Sequence, residues 1–123
     1  MRNAKLDRIL SEARPEIARH WSSCIKAGLP GFSRDATDQV DRCIAGYFTS
    51  LKALPEPASK DAILEKIKTL FLELDQLNQT AGGSLLETDE RELLVPLVID
   101  AATVSGLDAA EFDDDPTLQF RNF

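Results

Sequence analysis

The chain has 123 residues, 43% of them apolar, and a formal net charge of -7. That is enough for one ordinary hydrophobic core and too little for two, and no charge-free run approaches the roughly 20 apolar residues that cross a bilayer. A negative balance of this size argues against nucleic acid as a partner, because phosphates must be met by clustered Lys and Arg.

Met1 to Asp7 leads directly into an amphipathic pattern, with no apolar core followed by small residues, so no secretory signal is read and a cytoplasmic location is expected. Leu6, Ile9, Leu10, Ala13, Ile17, Trp21, Cys24 and Ile25 recur at spacings of three and four, predicting a first helix with one apolar face. Pro15 interrupts the run without changing its phase. That predicts either one kinked helix or two short ones in line. Gly28, followed by Leu29 and Pro30, is read as a left-handed C-terminal cap.

A second helix is expected from Ser33 or Asp35, with Val40, Cys43, Ile44, Tyr47, Phe48 and Leu51 as its buried stripe and Pro55-Glu56-Pro57 as its end. Ser59 then caps a third, in which Ile63, Ile67, Leu70, Leu74 and Leu77 form a heptad seam. Such a seam either zips two chains into a homodimer or faces the core of a bundle. After Thr80 to Gly83, Ser84 and Glu87 fit a capping box, while Thr88 followed by Asp89 and Glu90 is a second good start. Thr88 is preferred, with Ser84 to Glu87 extended. The fourth helix then runs through Leu93, Leu94, Leu97, Val98, Ala101 and Ala102, past Pro96, to Gly106. Short connections predict antiparallel neighbours, so the expected architecture is an all-α, up-and-down four-helix bundle forming one domain over residues 1–123.

Residues 109–123 are a tail mixing acids with Phe112, Leu118, Phe120 and Phe123. Aromatic rings are costly to leave in water, so the tail is expected to dock on the bundle. Loss of a docked Phe120 ring is then expected to cost on the order of 3 kcal/mol. Residues 1–60 carry ten Lys or Arg against seven Asp or Glu, whereas residues 87–123 carry ten acids against Arg91 and Arg121. The charge is therefore polarised along the chain. Docked rings would hold Asp108, Glu111, Asp113, Asp114 and Asp115, together with Glu87 and Glu90, as a negative surface for a basic protein partner.

Catalytic constellations are thin. His20 and Cys24 stand four apart on one helix, the minimal spacing for a thiol–imidazole pair. Cys24 falls in the last turn, where the helix dipole disfavours a thiolate, so no catalytic role is expected. No second histidine completes a metal site, and Asp113 to Asp115 lack the alternating spacing and glycine of a calcium loop. Neither cofactor nor metal is expected. Glu73 with Asp75, or the acids from Glu87 to Glu92, are candidates for an acid–base pair in a cleft, with no motif to define a substrate. Cys24 and Cys43 are expected to be buried free thiols, because the helix rise separating them leaves a bridge strained.

The run Gly82-Gly83-Ser84-Leu85-Leu86-Glu87-Thr88-Asp89-Glu90-Arg91-Glu92, the aliphatic helix ending at Gly106-Leu107-Asp108, and the close Asp115-Pro116-Thr117 with Phe120-Arg121 resemble the ending of small bacterial helical proteins, some of them similar to immunity proteins of toxin systems. The resemblance covers about the last third of the chain. It implies stoichiometric binding to a cognate toxin and carries over no contact residue. The other readings are a small helical enzyme or ligand-binding protein with an interhelical pocket, and a homodimeric adaptor.

Overall fold

A computed structural model describes residues 1–123. Four helices, α1 (Arg2–Lys26), α2 (Arg34–Lys52), α3 (Lys60–Thr80) and α4 (Thr88–Ser105), are followed by one turn of 3-10 helix over Ala109–Phe112. They form an all-α four-helix bundle. α1 packs on α2 and α4, and α2 packs on α1 and α3, whereas α3 and α4 meet sparsely. No helix is long and apolar enough to cross a membrane.

α1 runs unbroken through Pro15, so the split form expected as one alternative is not adopted. Pro15 is exposed, as is Pro96 in α4, so both rings face solvent. Water can then satisfy the carbonyl that each proline leaves unbonded. At the end of α1, Gly28 has φ 71° and the Leu29 N–H donates to the Cys24 carbonyl at 3.2 Å, which closes the helix with a left-handed turn. Ser33 and Ser59 cap α2 and α3, their hydroxyls accepting from the N–H of Ala36 and Ala62. α4 starts at Thr88 with Glu87 as its cap residue.

The periodic positions turn inward together, except Ile25 at the end of α1, which is exposed. Twenty-one buried residues form one cluster, with Trp21, Phe48 and Phe71 the largest fully buried side chains. Of the α3 heptad seam, Ile63, Ile67, Leu70 and Leu74 lie at 0–1% exposure in the bundle's own core, and Leu77 is half-buried against it. The Tyr47 hydroxyl crosses that core to donate to the Val98 carbonyl at 2.9 Å, tying α2 to α4.

Beyond α4 the chain turns back onto α3. Phe112, Phe120 and Phe123 are half-buried against the core, Phe123 lying 5.7 Å from the Phe71 ring between centroids, while Leu118 stays exposed. Polar groups latch the segment. Asp75, buried on α3, accepts from Asn122 through its side-chain amide at 2.9 Å and its backbone N–H at 3.3 Å. Arg121 donates to Asp115 at 2.8 Å and to the Phe123 carbonyl at 2.7 Å. Asp115 also accepts from the Thr117 backbone and hydroxyl, and Thr117 is fully buried.

Candidate functional site

Two places concentrate polar chemistry: the junction of α1 with the start of α4, and the acidic turn after α4. At the junction, Glu90 occupies the third position of its helix and bends back so that the Glu87 N–H donates to its Oε1 at 2.9 Å. This satisfies one of the free amides at a helix start and keeps the carboxylate beside the positive end of the dipole. Its other oxygen, Oε2, lies 2.6 Å from His20 Nε2 on α1, and Cys24 Sγ lies 3.6 Å from the same nitrogen. Glu90 is 5% exposed and Cys24 7%, while the His20 side chain is 24% exposed.

Burial, then the charges of Glu90 and Asp89, push the Cys24 thiol above its ordinary range. The free thiol is therefore protonated at neutral pH and is a poor nucleophile. The trio lies between two surface clefts. One, of about 590 Å3, takes in His20, Glu16, Arg19, Asp89 and Glu92; the other, of about 190 Å3, takes in Cys24, Phe32 and Glu90.

The acids expected to form one face are divided. Glu87 and Glu90 stand at the start of α4, and Asp108 to Asp115 follow its end, 18 helical residues away. At 1.5 Å per residue, about 27 Å of helix separates the two groups, so they do not make a single patch. Burial of Glu90 beneath His20 takes it off the surface altogether. Asp108 caps the 3-10 turn through the Ala110 N–H, and Glu111 pairs with Lys60 at 3.2 Å. Asp115 is engaged by Thr117 and Arg121. Asp113 and Asp114, exposed and with φ 53° and 64°, sit at the apex of the turn without a salt-bridge partner.

Glu73 and Asp75 diverge: Glu73 accepts from Cys43 at 3.8 Å, while Asp75 holds Asn122. They make no acid–base pair. Both cysteines are free, but Cys43 is half-exposed where full burial was expected. Burial and the neighbouring Glu73 carboxylate push its thiol up to about 11.

The His20–Glu90 contact is the feature that periodicity did not reveal. Its two residues are 70 apart in sequence, and neither motif names the other. A topological signal was present, however, because an up-and-down bundle brings the end of its first helix and the start of its fourth to the same end. The chain matches no protein-family model, no curated protein and no solved structure.

Proposed function

We propose that this chain is a non-catalytic protein-binding domain that engages a basic partner through the acidic turn following α4. The observation carrying this reading is the pair Asp113 and Asp114, exposed at a turn whose flanks are tied down by half-buried rings and by the Asp115–Arg121 and Asp75–Asn122 contacts. A fixed negative point on a molecule of net charge -7 favours encounter with a positive surface and costs little reorganisation on docking.

The polar clefts add support of a different kind. The cleft beside His20 is lined by seven residues of which one is apolar, whereas small-molecule sites are concave and mostly apolar. An immunity-type role, in which one copy neutralises one toxin molecule, fits the small size and the resemblance of the C-terminal third. Co-expression with the product of the adjacent reading frame tests it. The expected result is a stable one-to-one complex and protection of cells from that product. Equal killing with and without this chain contradicts the toxin-neutralising role.

A further inference from the structure

His20, Cys24 and Glu90 offer an imidazole nitrogen, a sulfur and a carboxylate oxygen, all within 4.8 Å of one another and drawn from two helices. This is the donor set of a borderline-soft divalent ion. Neighbouring donors around a tetrahedral zinc lie about 3.3–3.6 Å apart. The 3.6 Å between Cys24 Sγ and His20 Nε2 already has that spacing, and His20 and Cys24 share a face one helical turn apart on α1. Glu90 Oε2, at 2.6 Å from the nitrogen, reaches that spacing from it by drawing back about 0.7 Å, and it lies within 4.8 Å of the sulfur. Its Oε1 is meanwhile held by the Glu87 N–H, an outer contact that orients a ligating carboxylate.

We propose that His20 Nε2, the Cys24 thiolate and Glu90 bind one divalent ion of the zinc class, bridging α1 and α4 and leaving a fourth position for water at the surface cleft. The charges balance, since thiolate and carboxylate together cancel the ion. On binding, the thiol proton of Cys24 and any proton on His20 Nε2 pass to solvent, leaving the imidazole neutral with its remaining proton on Nδ1. Asp89 and Glu92 add negative potential beside the cleft, against the single positive charge of Arg19 there. The inference does not depend on the protein-binding role proposed above.

Co2+ reports on this site because a thiolate ligand gives a near-ultraviolet charge-transfer band. Titration of the full chain is expected to develop that band to one equivalent of Co2+, with displacement by Zn2+. Cys24→Ser abolishes it, Cys43→Ser leaves it unchanged, and Glu90→Gln weakens Co2+ binding about tenfold or more. A second readout needs no substitution: Zn2+ protects Cys24 from alkylation in the unaltered chain while Cys43 serves as internal reference. Absence of the band, its persistence in Cys24→Ser, or equal labelling of Cys24 with and without Zn2+ overturns the proposal and leaves a His20–Glu90 pair tying two helices together.

Discussion

Arg2 is 8% exposed, and its guanidinium donates to the carbonyls of Pro55, Leu54 and Lys52 just beyond and at the end of α2. These are among the carbonyls that a helix end and its turn leave without partners, and a cation is favoured there by the dipole. Arg2→Ala is therefore expected to cost about 1–3 kcal/mol in urea unfolding, more than an exposed arginine would. Asp115 makes a second test at this scale. Burial alone would push its carboxyl up, but donation from the Thr117 hydroxyl, Arg121 and the Thr117 N–H, with the Arg121 charge, holds it below the ordinary value. A folded carboxyl held low contributes stability that is present above the unfolded value of about 3.9 and lost as pH falls through the folded one. Asp75 acts with the opposite sign: burial, only partly offset by donation from Asn122, holds it high. Its cost to the folded state is relieved as pH falls through its folded value. Asp115→Asn should accordingly be less stable than the parent at neutral pH, and the gap should narrow on acidification; a gap independent of pH contradicts the ionic latch.

At the scale of elements, the loop joining α1 to α2 packs on the loop joining α3 to α4. Gly31 has φ 82°, and a Cβ there would stand 2.8 Å from the Ala81 carbonyl oxygen. Left-handed backbone alone costs a side chain about 1–2 kcal/mol, and the carbonyl contact adds to it. Gly31→Ala is expected to lower stability by about 2 kcal/mol or more, measured by chemical unfolding, without altering helical content. Local signals of helix boundaries were legible in the sequence because each acts over a few residues. Ser33 and Ser59 cap amides three positions on, and Gly28 ends α1 by its own backbone freedom. Inward-facing stripes were legible for the same reason. Arg2 with Leu54, Asp75 with Asn122 and His20 with Glu90 were not, since partners 47 to 70 residues apart meet only once the bundle is assembled. Polar residues at such positions carry no periodic mark of their own, and Glu90 read as surface charge because its helix-start position is usually exposed.

At the scale of the whole molecule, the sequence asymmetry of charge is partly neutralised by folding. Lys60 meets Glu111 of the acidic stretch at 3.2 Å, whereas Lys52 meets Asp7 at 2.7 Å and Arg14 meets Asp41 at 2.7 Å, both within the first half. The tail keeps its negative apex on one side of the bundle, while the acids at the start of α4 belong to the other end. Composition could report the excess of acid but not this division, which depends on the length of α4 and the return of the tail along α3. Substituting both Asp113 and Asp114 by Asn separates binding from folding, because neither has an ion-pair partner whereas Asp115 does. The most direct measurement is titration calorimetry of the chain against the product of the adjacent reading frame at low and high salt, for the parent and the Asp113→Asn, Asp114→Asn double variant. The proposed role predicts weaker binding and a shallower salt dependence in the double variant, with an unfolding midpoint close to the parent's. Identical affinity and salt dependence in the two proteins would contradict it.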